Sequence, residues 1–273
     1  MLWGSFGVIK LWINQGKELD FSLPRRESKI GLGHKGFLVS PDSSMTYQEA
    51  CARRDFTINA MLMNPTDGTI LDFFNGKDDL DKRILRHTSD HFIEDPLRPL
   101  RAVQLAARFG LSVDPDTAEL CASMVDEALH LPIDRIRSEF EKWVLRSSVP
   151  SVGLKTLVEI GWYSVFFNKE KPDEEQLNKV SQVCAIDKSA IIADRDKLPA
   201  KDRIVLFVAA LVRNLSKPSA DRFLEKIGMP LKSVQRVHVL ISEAEQFEKT
   251  GLQIDSELIR SSIRLGEESI RML

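Results

Sequence analysis

The chain has little cysteine and no excess of charge of either sign. Its three cysteines, Cys51, Cys121 and Cys184, are odd in number and far apart. That excludes a disulfide framework and zinc-motif spacing, and points to core thiols in a reducing compartment. Lys and Arg total 38 against 40 Asp and Glu, a net charge of −2, so a nucleic-acid partner has to be held by a local basic patch. No apolar run reaches the ~18 residues that span a bilayer. The N-terminus has no basic segment followed by an apolar stretch and cleavage site, so the expected setting is cytoplasmic with no membrane contact. His34, His87, His91, His130 and His238 lack metal-site spacing and read as surface or packing residues. What the chain does have is 273 residues of 43% apolar composition, enough for one large domain or two to three small ones.

Strands come first. "FGVIKLWINQGKELDFSLPR" holds two β-rich runs around the turn composition Asn14-Gln15-Gly16-Lys17 and reads as a hairpin. Leu19, Phe21 and Leu23 alternate with Glu18, Asp20 and Ser22, which directs the apolar set to a core and Asp20 to an open face. "RRESKIGLGHKGF" reads as a flexible loop. Thr46-Tyr47-Gln48-Glu49 has capping-box form and starts a helix running toward Arg53. "GTILDFF" at 68–74 is the last expected strand, and the period becomes helical near residue 78. Pro96 suits a first turn, "LRPLRAVQLAARF" follows, and Gly110 suits the C′ position. "DPDTAELCASMVDEAL", "DRIRSEFEKWVL" and "DRIVLFVAALVRNL" are three further expected helices.

Two clusters carry hydrogen-bonding capacity. In "RRDFTINAM", residues 53–61, Arg53, Arg54, Asp55 and Asn59 fall within seven positions. They could form a structural knot, with Asp55 capping the turn that holds Asn59. In "EDPLRPLR", residues 94–101, Asp95 and Arg98 are expected i,i+3 neighbours on a helix, with Arg101 one step further along the stripe. They could form only a helix salt bridge, worth ~0.3 to 0.5 kcal/mol, or they could read a base.

Taken together, "RRDFTINAM…EDPLRPLRAVQLAARFGL…RIRSEFEKW" resembles the family of class II tRNA nucleotidyltransferases (CCA-adding enzymes) and bacterial poly(A) polymerases, with three motifs in the family's order. The likeness is close from about residue 5 to about 165. It implies an α+β fold in which an incomplete nucleotidyltransferase β-sheet head over 1–75 precedes a helical neck with the nucleotide site over 76–145. A helical, RNA-binding body follows over 146–273. It also implies template-independent addition of C and A to the 3′ end of tRNA, with ATP and CTP as substrates, or alternatively poly(A) addition. Carried over by resemblance, Arg54 meets phosphate, Asp55 meets ribose and Asn59 braces the loop. Asp95 and Arg98 face the base with Arg101 nearby, and Arg53, Glu94, Arg135 and Glu139 take supporting places. Where some family members carry a His-Asp metal pair, this chain has Arg213 and Asn214, so a second active site is not expected.

The base-reading role has its own chemical logic. Cytosine and adenine both present an exocyclic amine beside a ring-nitrogen acceptor, whereas uracil and guanine present a carbonyl beside a ring N–H. An ionised Asp only accepts and an Arg only donates, so an Asp–Arg pair suits C and A and strands polar groups opposite U and G. A site built on such bonds can reject the wrong partner by ~10⁴.

The resemblance also implies Mg²⁺ held by an Asp-x-Asp pair upstream of the hairpin, and the chain begins inside that region. Asp20 is the expected supporting carboxylate and metal ligand, or else a solvated strand residue. One carboxylate does not replace a metal cluster, so the chain is expected to be a fragment with little or no transferase activity. The other reading is a non-catalytic RNA-binding remnant.

Overall fold

A computed structural model describes residues 2–3, 8–13, 17–22, 24–29, 37–167, 199–213 and 215–250. The chain divides into two compact units, Met1–Arg98 and Pro99–Leu273.

The first unit opens with the expected hairpin. Strands β1 (Leu2–Trp3), β2 (Val8–Ile13) and β3 (Lys17–Ser22) form an antiparallel sheet in that order, with Leu11 opposite Leu19 and Ile9 opposite Phe21. The turn residues 14–16 and Leu23 lie outside the described residues. Alternation gathers the apolar side chains on one face, but that face does not form the expected core: Leu19 is 44% and Phe21 51% exposed. A period of 2 assigns residues to a face and is silent on whether the face is covered.

The expected flexible loop is also corrected. Its two ends are strands, β4 (Arg25–Lys29) and β5 (Phe37–Pro41), paired antiparallel with Arg25 opposite Pro41 and Lys29 opposite Phe37. Residues 30–36 between them lie outside the described residues. Charged residues disfavour strands only weakly when the partner strand supplies the ladder.

Helix α1 (Tyr47–Ala52) starts at the expected capping box. Glu49 N–H donates to Thr46 Oγ1 at 3.2 Å, and Thr46 N–H donates to Glu49 Oε2 at 2.8 Å. A 3-10 turn covers Thr57–Asn59, and the short strands β6 (Leu62–Met63) and β7 (Ile70–Leu71) pair antiparallel. The strand expected over 68–74 is therefore two residues long. Strands also continue past residue 78, as β8 (Ile84–Leu85) and β9 (Ser112–Val113), so the expected neck is not purely helical.

Helix α2 (Gly76–Asp81) is capped from outside. Asp72 accepts from Phe74, Gly76 and Lys77 N–H at 3.4, 2.8 and 2.9 Å, satisfying donors that the first turn leaves open. A 3-10 segment, Asp90–Glu94, leads to α3 (Arg98–Phe109). Gly110 ends that helix at φ +63°, the left-handed C′ geometry expected of it.

The described residues of the second unit are almost entirely helical. The helix expected over 114–129 splits into α4 (Pro115–Ser123) and a 3-10 segment, Val125–His130. Then come α5 (Ile133–Arg146), α6 (Pro150–Glu159), α7 (Tyr163–Phe167), α8 (Ala200–Val212), α9 (Lys217–Lys226) and α10 (Leu231–Thr250). Its core is aromatic: Phe140 sits 5.4 Å from Trp143, 5.1 Å from Phe166 and 5.9 Å from Phe223 between ring centroids. Trp143 also contacts Phe207 at 5.4 Å. These inclined rings bury large apolar area and fix the faces of α5, α7, α8 and α9. Among the described residues no helix is long and apolar enough to cross a membrane.

Asp72 makes the α2 cap dependent on pH. Burial opposes its ionisation, but the three N–H groups outweigh burial and hold its carboxyl below the ordinary 3.8. A depressed folded-state value means that the stabilisation is complete above the unfolded value and lost as pH falls through the folded one. Asp72→Ala should cost about 1 kcal/mol at pH 7, as lost caps do. Guanidinium melts of both proteins should then converge as pH drops below 3.8. A gap that stays constant with pH would show that the carboxylate charge is not what caps α2.

Candidate functional site

Glu94 and Arg98 clamp the loop that follows α1. Arg53 Nη2 donates to Glu94 Oε2 at 2.6 Å, with both side chains largely buried at 18% and 22% exposure. The other oxygen of Glu94 faces His91 Nδ1 at 2.7 Å. Arg98 engages the same two residues through their main chain, donating from Nη1 to His91 O at 2.6 Å and from Nη2 to Arg53 O at 2.7 Å. Its guanidinium also lies 5.7 Å from the Phe92 ring centroid. Residues 53 and 91 are thus each held twice, by side chain through Glu94 and by carbonyl through Arg98. Ser89 adds a third tie, donating from Oγ to Ala52 O at 2.6 Å.

Further along the loop, Asp55 is buried and organises its own turn. Its Oδ1 accepts from Phe56 N–H at 2.9 Å and from Asn59 Nδ2 at 3.1 Å. The main chain here is stitched to residues 86–88: Thr57 N–H donates to Arg86 O at 3.0 Å and Thr88 N–H to Asp55 O at 3.2 Å, flanking the Phe56–His87 bridge. Beneath the turn, Asp79 of α2 accepts from Thr57 Oγ1 at 2.8 Å and pairs with Arg86 Nε at 3.2 Å. A Cβ on Gly76 would come within 2.2 Å of Thr57 O, so only glycine lets α2 approach the loop this closely.

Arg54 differs from its neighbours. It is exposed and makes no ion pair or side-chain hydrogen bond among the described residues. It stands near Cys51, whose thiol burial pushes up while the Arg54 charge draws it down. Buried Cys121 is pushed up to about 12 by burial alone, so neither thiol has nucleophile character. Cys184 lies outside the described residues.

Asp95 corrects the helix expectation. Its backbone is extended, φ −119° and ψ 104°, and α3 begins only at Arg98, so the two are not i,i+3 neighbours on one helix. The cause is Pro96, whose ring drives the preceding residue out of the helical region. Asp95 instead receives the helix, its Oδ1 accepting from Leu97 N–H at 3.1 Å and its carbonyl accepting from Arg98 N–H at 3.0 Å.

In the second unit, Glu139 of α5 is 3% exposed. Its Oε1 pairs with Lys142 Nζ at 2.6 Å and with Arg101 Nη1 of α3 at 4.0 Å. Its Oε2 has no hydrogen-bond partner among the described residues. Arg135 stands one turn earlier on α5. Arg213 caps the end of α8, and Asn214 lies outside the described residues. Asp20 is exposed on β3, directly across from Lys10 and 3.6 Å from its ammonium.

Two contributors escaped the sequence. Asp79 sits in the run "KDDLDK", where nothing marks which carboxylate turns inward. His91 precedes Glu94 by three residues, a spacing that carried the signal.

Residues 5–86 match the poly A polymerase head domain. The chain is 38% identical over 162 residues to a multifunctional CCA protein of Pseudoalteromonas atlantica, spanning 58% of this chain and 40% of that one. To a protein of the same description from Nitrosococcus oceani it is 46% identical over 125 residues, 45% of this chain and 30% of that one. The chain thus spans two fifths or less of these relatives' length. Its fold resembles a CCA-adding enzyme solved with ATP, at TM-score 0.65 and 21% identity over 95% of this chain and 58% of that one. It also resembles a Thermotoga maritima CCA-adding enzyme complexed with tRNA, at TM-score 0.63 and 20% identity over 90% of this chain and 55% of that one.

The loop separates holding residues from presented ones, and stability measurements can read the division. Asp55→Ala strands the Phe56 N–H and the Asn59 amide, and should cost about 1 to 3 kcal/mol in urea unfolding. Arg54→Ala removes no bond among the described residues and should stay within about 0.5 kcal/mol of the parent. Equal losses in the two variants would show that Arg54 is also part of the scaffold.

Proposed function

We propose that this chain, a member of the family of CCA-adding enzymes and poly(A) polymerases on its head-domain match and its relatives, selects nucleotides for template-independent addition of C and A to tRNA 3′ ends. The observation that carries this reading is the direct joining of the two motifs. Arg53 meets Glu94 across 41 residues of sequence, and Arg98 meets the Arg53 carbonyl across 45. On this reading the phosphate-binding and base-reading groups share one hydrogen-bonded frame within the first unit.

In this reading the exposed Arg54 takes the nucleotide phosphates and Asp55, oriented by Asn59, takes the ribose. Asp95 and Arg98 offer acceptor and donor to the base. Arg98 is held by two carbonyls, and a guanidinium carries its donors in one plane. The carbonyls fix that plane in advance, so less side-chain freedom is lost on binding. Arg101 follows on α3, braced by Glu139, with Arg135 earlier on α5. Functionally we divide the chain into a head over 1–75, a neck over 76–145 and an RNA-binding body over 146–273.

Transfer to an RNA 3′-hydroxyl would draw on Mg²⁺ for Lewis-acid chemistry, with carboxylates to hold it. The described residues do not fit that ion. No group of three or more His, Cys, Asp or Glu among them converges, and Asp20, the candidate ligand, already faces the Lys10 ammonium. No step of this reading runs through the metal.

Equilibrium titration of the 273-residue chain with each nucleoside triphosphate tests selection without needing turnover. CTP and ATP should bind at least about tenfold more tightly than UTP and GTP, and Asp95→Ala should erase most of that gap by removing the acceptor. Preference for ATP alone would favour the poly(A) polymerase activity after which the matching head domain is named. Equal binding of all four nucleotides, or of none, would reject the reading.

A further inference from the structure

We infer that Asp79, a buried carboxylate on α2, is a positioning residue for nucleotide binding: through the Thr57 hydroxyl it sets the turn that aims Asp55 and Asn59. The inference rests on the nucleotide-selecting role proposed above and adds a residue outside both motifs.

Asp79 is only 4% exposed. A carboxylate so buried is costly unless paired and hydrogen-bonded, and both of its recorded side-chain partners belong to the strip that shapes the site. Thr57 Oγ1 donates to Oδ2 at 2.8 Å, and Arg86 Nε lies 3.2 and 3.3 Å from the two oxygens. Thr57 and Arg86 are themselves joined, Thr57 N–H to Arg86 O at 3.0 Å. The result is a closed ring of side-chain and main-chain bonds.

The position of that ring in the chain gives it leverage. Thr57 opens the 3-10 turn Thr57–Asn59, so it lies two residues from Asp55 and two from Asn59, whose amide holds Asp55 Oδ1 at 3.1 Å. Rotating Thr57 would move both ends of that bond together. The main-chain bonds to residues 86–88 hold the strip in register but leave its tilt toward α2 to be set by side chains. Asp79 and the close approach at Gly76 are the contacts that set it. Glu94 anchors the loop's other end through Arg53, so the exposed Arg54 and the buried Asp55 lie between two carboxylate anchors.

The alternative is that Asp79 merely stabilises α2, and Thr57 separates the two. Thr57→Val removes the hydroxyl at nearly constant volume while Asp79 keeps Arg86; Thr57→Ser retains it. For a positioning role, Thr57→Val should weaken CTP and ATP binding about tenfold, the usual scale for a bond to a charged group, and Thr57→Ser should restore near-parent affinity. Hydrogen exchange gives a readout that needs no nucleotide. In Thr57→Val the amides of Asn59 and Ala60 should exchange faster while those of Asp79 and Lys82 in α2 stay protected. Faster exchange throughout α2 with an unchanged loop would overturn the inference, as would unchanged affinity in Thr57→Val. If the parent chain bound no nucleotide, the proposed function would fall and nucleotide positioning with it. The exchange pattern would still report whether Asp79 orients the turn. Asp79→Asn is the companion variant; should it fail to fold, the Thr57 pair decides alone.

Discussion

The first unit depends on one closure, the contact of Glu94 and Arg98 with Arg53. It brings together segments 41 to 45 residues apart, and the ordering cost of such a loop grows only with the logarithm of its length. Three short polar bonds cross the junction, Arg53 to Glu94, Arg98 to the Arg53 carbonyl and Ser89 to the Ala52 carbonyl, and the first is worth more than a surface pair because it is mostly shielded from water. The geometry is also over-determined. Glu94 holds two side chains and Arg98 holds the carbonyls of the same two residues, so neither Arg53 nor His91 can move without breaking bonds of both kinds. Everything else about the site, including the exposure of Arg54, presupposes that the loop is fixed here.

Asp79 supplies the second constraint, and the two differ in character. The Glu94 junction joins charged side chains directly. The Asp79 ring closes around a buried carboxylate and is threaded through main chain, and α2 must come close enough for Gly76 to touch the Thr57 carbonyl. The cap at Asp72 starts α2 at the right residue for this. A one-residue shift of the helix start would rotate Asp79 by about 100°, out of reach of Thr57. A local capping choice is thereby coupled to the aim of a side chain fifteen or more residues earlier.

How much of this was legible depended on how local each signal was. The Thr46–Glu49 box and the Gly110 terminus read correctly because each is decided within four residues. The hairpin of β2 and β3 read correctly in pairing but not in burial, since alternation names a face and not its cover. "RRESK" reads as loop because its strand character comes from β5, some ten residues away, rather than from its own charged side chains. Asp95 reads as helical when Pro96 is taken only as a first-turn residue, but Pro96 also drives the residue before it into extended backbone. The inward turn of Asp79 was illegible in principle from "KDDLDK", where three carboxylates compete and only the register of α2 against Thr57 chooses among them.

The charge arithmetic of the first unit gains meaning from this arrangement. A net charge of −2 over 273 residues gives no hint of anion binding, because the basic groups at the site are mostly spent on structure. Arg53 is paired with Glu94, Arg86 with Asp79, and Arg98 with two carbonyls. Each guanidinium held this way is a buried or half-buried cation whose solvation has been replaced by fixed acceptors. A site meant to neutralise itself would also pair Arg54, and Asp55 is its immediate neighbour in sequence. The two oxygens of Glu94 go instead to Arg53 and His91, and Asp55 Oδ1 accepts from Phe56 N–H and Asn59. The local carboxylates therefore act as positioning groups, and the charge left presented to solvent is that of Arg54.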